Sequence, residues 1–119
     1  MWFFKRQPQL DSLVDFQEEW QSIKELLKTK RDSAMKQALL QADKLLDLAL
    51  KNKKVQGETM GGRLKTAKTM FSKDLYPLIW QAHKLRNRLL HENEEILSFQ
   101  IERAINTFYR ALKELRYLK

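Results

Sequence analysis

Residues 33–50 read SAMKQALLQADKLLDLAL, and this stretch decides the fold. Met35, Ala38, Leu39, Ala42, Leu45, Leu46, Ala49 and Leu50 recur three and four apart, which is the spacing of one wide face of an α-helix. Asp32 or Ser33 supplies the cap, and the helix is predicted to run on to about Asn52. Leu40 and Leu48 fall off that face at ~100° per residue, so a second surface of the same helix is predicted to be covered. Asp43 and Asp47 sit one turn apart on its flank.

The same spacing recurs on both sides. Leu13, Phe16, Trp20, Ile23 and Leu27 mark a helix from about Ser12 to Lys28, with Ser12 and Asp15 resembling a capping box. Lys51 to Gly62 holds all three glycines and reads as a loop. A short helix from about Gly62 to Phe71 follows, with Leu64, Ala67 and Met70 or Phe71 inward. The next helix is predicted over Leu75 to His91, Pro77 being tolerated in its first turn. Its core stripe is Leu75, Leu78, Ile79, Ala82, Leu85 and Leu89. After an acidic turn from Glu92 to Leu97, Ser98 is expected to cap a last helix reaching about Leu115. The predicted fold is therefore all-α, an antiparallel helical bundle of four long helices plus one short helix. Residues 1–11 form an aromatic and basic N-terminal segment, and residues 12–119 a single bundle domain without internal repeat.

Composition narrows the chemistry. A chain of 119 residues fits one domain and buries roughly two-thirds of its unfolded surface, enough for a core without disulfide or metal. The absence of cysteine removes disulfide scaffolds, thiol catalysis and cysteine-bound metal centres, and His83 and His91 are too few for most zinc sites. No cofactor is expected. Lysine and arginine number 23 against 15 acidic residues, an excess of eight that points to an anionic partner. The excess is uneven. The outer face of the first helix is acidic, with Asp11, Asp15, Glu18, Glu19 and Glu25 opposing Lys24 before the helix ends at Lys28. Residues 51–73 carry seven basic residues against Glu58, six of the eight excess charges. Met1-Trp2-Phe3-Phe4 is too short for a secretory signal, being cut off by Lys5, Arg6 and Pro8, and no stretch approaches the ~20 apolar residues of a membrane span. A cytoplasmic location is expected, and membrane contact through the N-terminal segment is not.

One stretch carries chemistry: Ala82-His83-Lys84-Leu85-Arg86-Asn87-Arg88-Leu89-Leu90-His91-Glu92. Arg86, a polar Asn87 directly after it and His91 after four intervening residues resemble the motif of the HEPN superfamily of small helical bundles. The position agrees, in the penultimate long helix of an all-helical chain, and the architectural likeness covers roughly residues 12 to 115. The resemblance implies a bacterial-type, metal-independent endoribonuclease of the toxin or defence kind, acting as a homodimer and sometimes held by an antitoxin or other protein partner. It also implies that Arg86, Asn87 and His91 are catalytic, cleaving RNA by attack of its own 2′-hydroxyl on the adjacent phosphate. The residue types suit that work. Imidazole exchanges protons near neutral pH, and guanidinium offers a permanently charged fork for phosphate oxygens.

Helix geometry adds a constraint. Five residues at ~100° each put Arg86 and His91 about 140° apart, with Arg86 between Leu75 and Ile79 on the apolar side. An arginine buried there needs a partner, and Asp43 or Asp47 is the candidate. Trp80, Asn87 and His91 share the opposite face, which is expected to meet a second copy unless Trp2 to Phe4 cover Trp80. His83 reads as a surface residue, and Arg88 with Glu92 as an exposed ion pair. Lys53, Lys54, Arg63, Lys65, Lys68, Lys84 and Arg88 are the expected contacts to RNA. Three functional readings stay open: a HEPN-like endoribonuclease, a non-catalytic HEPN-like bundle that binds nucleic acid, nucleotide or another protein, and a purely structural interaction module.

Overall fold

The computed structural model describes residues 14–91 and 95–119 of the chain. Helix α1 spans Phe16–Lys28, α2 Asp32–Asn52, α3 Met60–Thr66 with a 3-10 turn Lys68–Met70 behind it, α4 Leu75–Arg88 and α5 Ser98–Glu114. No strand occurs among the described residues, so the chain is an all-α helical bundle there.

Helix α2 is its hub. It contacts each of α1, α3, α4 and α5, which is what an apolar surface wider than one face requires. Ala38, Leu39, Ala42, Leu46, Ala49 and Leu50 are all fully buried. The three alanines let neighbouring backbones come close while the leucines fill the space between. Leu48 packs partly against the core, as its position off the main face predicts, and Leu40 is half-buried beside it. Helix α5 lies against both α2 and α4 and buries Ile101, Ala104, Ile105, Phe108, Ala111 and Leu112. On α1, Phe16, Trp20 and Ile23 are buried, and Phe16 and Trp20 stack on Tyr117 and Tyr109 at 4.3 and 5.5 Å between ring centres.

The helix ends differ from the sequence reading in several places. Asp15 itself is the cap of α1, its carboxylate accepting from the Glu18 N–H at 3.1 Å; Ser12, Leu13 and the segment Trp2 to Phe4 lie outside the described residues. Ser98 is the first helical residue of α5 and not its cap, and the Gln100 side chain instead accepts from the Leu97 N–H at 2.8 Å. Thr59 caps α3 by accepting from the Gly62 N–H at 3.0 Å, so this helix starts two residues earlier than the glycines suggested. Helices α1, α2 and α5 are closed by Lys30, Lys54 and Arg116 in left-handed backbone, with φ of 59°, 64° and 69°. Glycine is the usual residue there, so these stops were not signalled.

Helix α4 ends at Arg88, three residues short of the expected His91. Its continuation tightens into i→i+3 bonds, from Leu89, Leu90 and His91 N–H to Arg86, Asn87 and Arg88 carbonyls at 3.1, 3.1 and 3.0 Å. Leu90 is 71 % exposed, so no burial rewards a further α-helical turn. No helix among the described residues is long and apolar enough to cross a membrane.

Candidate functional site

The two aspartates on the α2 flank pair with the buried cation and imidazole of this bundle, Arg63 and His83. Asp43 is only 4 % exposed, and it faces α4. Its Oδ1 lies 2.8 Å from Nδ1 of His83, and its Oδ2 lies 3.5 Å from Nε of Arg86. His83 and Arg86, three apart on α4, thus reach one carboxylate from the same helix face. Of the two partners expected for Arg86, Asp43 is the one it meets. The Arg86 Nε is buried and makes an ion pair without a hydrogen bond, whereas its Nη1 donates to Asn87 Oδ1 at 3.2 Å. The guanidinium is therefore tethered at its inner edge and open at its outer one.

Asp47, one turn on, faces α3. Arg63 donates to it twice, Nε to Oδ1 at 2.6 Å and Nη2 to Oδ2 at 2.9 Å, and donates from Nη1 to the Gly57 carbonyl at 2.7 Å. The carboxylate holds the guanidinium above its ordinary pKa, in spite of the opposing effect of burial. This corrects the expectation that Arg63 is an RNA contact. It is 8 % exposed with its fork committed, and its task is to pin the glycine loop to α2. Gly57 meets the demand in kind: its φ is +151°, and a Cβ there would sit 2.6 Å from the Arg63 nitrogen.

Between the start of α3 and α4 lies an open cleft of about 620 Å³. Thr59 to Gly62 and Lys65 form one wall, and Trp80, His83, Lys84, Arg86 and Asn87 the other. Every ionisable group lining it is basic or imidazole. Among the described residues α3 approaches Trp80 through Gly61, where a Cβ would lie 3.6 Å from the indole. The ring also meets His83 edge-on at 6.1 Å.

Of the residues singled out from sequence, the structure brings Lys65, Trp80, Lys84, Arg86 and Asn87 to this cleft. It does not bring the others there. Lys53, Lys54 and Lys68 are exposed elsewhere, Lys53 lying 5.4 Å over the Tyr117 ring. Arg88 donates to the Glu95 carbonyl at 3.3 Å and lines a second groove between α4 and α5; Glu92, its expected partner, lies outside the described residues. His91 stands exposed beyond the end of α4, with no side-chain hydrogen bond or ion pair among the described residues.

His83, like Arg63, lies where sequence reasoning did not place it. It is 8 % exposed and not a surface residue. Its i,i+3 relation to Arg86 was a usable signal, because a carboxylate placed to meet one of them is within reach of the other. No family model, curated protein or solved structure matches this chain.

Proposed function

We propose that the cleft between α3 and α4 binds the phosphate backbone of RNA, and that the chain is a HEPN-like, metal-independent endoribonuclease built as an antiparallel bundle of four long helices and one short. The observation that carries this reading is Arg86. A buried Asp43 fixes its inner edge, while the rest of the fork opens into a cleft whose other charges are Lys65 and Lys84. An arginine aimed in this way binds phosphate oxygens without losing much side-chain freedom. Trp80 beside it offers an apolar face to a ribose or base. Asn87 holds the guanidinium plane through its hydrogen bond.

The exposed His91 favours an assembly of two copies. It stands clear of Arg86's cleft in one chain, so a homodimer in which the α4 ends approach each other brings the motif together. The same observation supports the second reading, a non-catalytic bundle that binds RNA through Arg86, Lys65 and Lys84. An antitoxin or other protein partner fits either reading.

Fluorescence polarisation with a labelled single-stranded RNA tests binding. Lys65→Gln and Lys84→Gln should each reduce the slope of log affinity against log salt by ~0.7. Incubation of a mixed RNA pool with wild type, Arg86→Gln and His91→Ala tests cleavage. Binding with no cleavage by wild type selects the second reading, and salt-independent or absent binding sinks both.

A further inference from the structure

We infer that His83, oriented by Asp43, is the proton acceptor for the attacking 2′-hydroxyl of RNA in this cleft, with the partner's His91, brought there by the proposed homodimer, left to protonate the leaving oxygen. This inference rests on the endoribonuclease reading and assigns a residue that the Arg86-Asn87…His91 motif does not contain.

The geometry is specific about one nitrogen. Asp43 also faces Arg86, and a carboxylate can only accept hydrogen bonds, so the 2.8 Å contact has His83 Nδ1 as donor. A neutral ring with its proton on Nδ1 presents a lone pair at Nε2. The buried side-chain nitrogen and oxygen atoms lacking a hydrogen bond are Gln41 Oε1 and Arg86 Nε among the described residues. His83 Nε2 has no partner there either, so it reaches solvent where His83 lines the cleft. A histidine held at one nitrogen by a buried carboxylate, with the other open to a cleft that Arg86 also lines, has the arrangement of an oriented general base. The charged groups facing it are Asp43 from α2, Lys65 from α3, and Arg86 and Lys84 on its own helix. A purely structural buried histidine would need no open nitrogen on a basic cleft.

The step balances. Nε2 takes the 2′-hydroxyl proton as the O2′–P bond forms. The P–O5′ bond breaks, its electron pair leaves on O5′, and the partner's His91, protonated, supplies the proton to that oxygen. The products are a 2′,3′-cyclic phosphate and a 5′-hydroxyl. Exchange with water returns both imidazoles to their starting forms.

Two histidines in the whole chain make the test clean, because removing one leaves the other as the sole imidazole. Cleavage rates of a short labelled RNA are measured from pH 5 to 9 for wild type, His83→Asn and His91→Ala, with binding followed by polarisation. Asparagine keeps an N–H donor near Nδ1 for Asp43 and removes Nε2. The expected result is a bell-shaped profile for wild type. His83→Asn should bind RNA, lose about a hundredfold or more in rate, and lose the acid-side limb. His91→Ala should lose the alkaline limb and keep the acid-side one. Should His83→Asn fail to fold, the limb remaining in His91→Ala still decides, since His83 alone can produce it. Cleavage by His83→Asn within about threefold of wild type, or an acid-side limb missing from His91→Ala, overturns the assignment while leaving the endoribonuclease reading intact. Wild type that binds RNA without cutting it overturns both.

Discussion

Arg63→Met removes the guanidinium that ties α3 to α2 while keeping most of the side chain's bulk. Three contacts go: two to Asp47 at 2.6 and 2.9 Å, and one to the Gly57 carbonyl at 2.7 Å. Breaking a fully buried ion pair from one side costs ~3–5 kcal/mol, because the remaining charge stays in a poor solvent. Here the Asp47 side chain keeps 17 % of its exposure, so water softens the loss. Lys51 is too far at 3.9 Å to replace a bidentate fork. Two charged hydrogen bonds discounted for that access, plus one carbonyl acceptor, give about 3 kcal/mol. For a chain of this length each kcal/mol shifts Tm by roughly 3–6 °C, so the expected drop is about 9–18 °C. Urea and thermal denaturation followed by circular dichroism measure it, alongside Asp47→Leu and the double variant. The double variant should cost clearly less than the sum of the singles, since each single strands the other's partner. A Tm shift under ~3 °C, or additive singles, would refute the argument: Arg63 would be a solvated cation of the basic segment after all.

Four further outcomes follow from the same geometry. Gly57→Ala should destabilise by ~1–3 kcal/mol, since its Cβ meets backbone at 2.6 and 2.8 Å in a conformation that other residues avoid; an unchanged urea midpoint contradicts this. Arg116→Gly should stabilise by up to ~1 kcal/mol by relieving a left-handed residue at the end of α5, and a lower Tm would show that the side chain matters more than the backbone. Leu46→Ala, at a site with no exposure on the hub helix, should cost ~2–5 kcal/mol in urea denaturation, and a loss under ~1 kcal/mol would deny α2 its central place. Burial raises the pKa of Tyr117, so the folded chain holds that proton more tightly than the unfolded one. Stability from this source is complete below about pH 10 and falls as pH rises further, so any advantage of wild type over Tyr117→Phe should shrink above pH 10. A constant difference across alkaline melts would contradict it.

The helices were legible because their signal is repetitive. Met35 to Leu50 repeats the apolar spacing often enough that one misread residue changes nothing, and the off-face Leu40 and Leu48 announced a second covered surface. Helix ends carry no such redundancy. Lys30, Lys54 and Arg116 terminate helices in a conformation that glycine usually supplies, and α4 stops at Arg88 with Leu90 left exposed among the described residues. The site was half legible. Arg86 and its need for Asp43 or Asp47 followed from helix phase, because a charge on an apolar stripe demands a partner; the fold selects Asp43. His83 did not follow. Its burial depends on where α2 places Asp43, a contact forty residues away in sequence, and the i,i+3 spacing to Arg86 signals it only once that carboxylate is placed. Arg63 misled for the same reason: it sits in a basic run, and only the fold reveals that Asp47 takes it out of solution.

These two misreadings have one cause, and it locates the site. Asp43 and Asp47 are four apart, so they project from one face of α2 a single turn from each other. Asp47 holds α3 through Arg63, and Asp43 holds α4 through His83 and Arg86. The two walls of the cleft are thus fastened to adjacent positions of the same rigid helix. Such an arrangement fixes the distance between Lys65 on one wall and Arg86 on the other without any direct contact between them. It also explains how an acidic pair can build a basic cleft. Both carboxylates are turned inward and matched by cations, and what remains facing outward is the unused edge of Arg86 together with two lysines. The sign of the cleft is set by which groups the aspartates consume. A substitution at either aspartate therefore alters the position of one wall and the charge of the cleft together, which distinguishes these residues from any surface lysine of the basic segment.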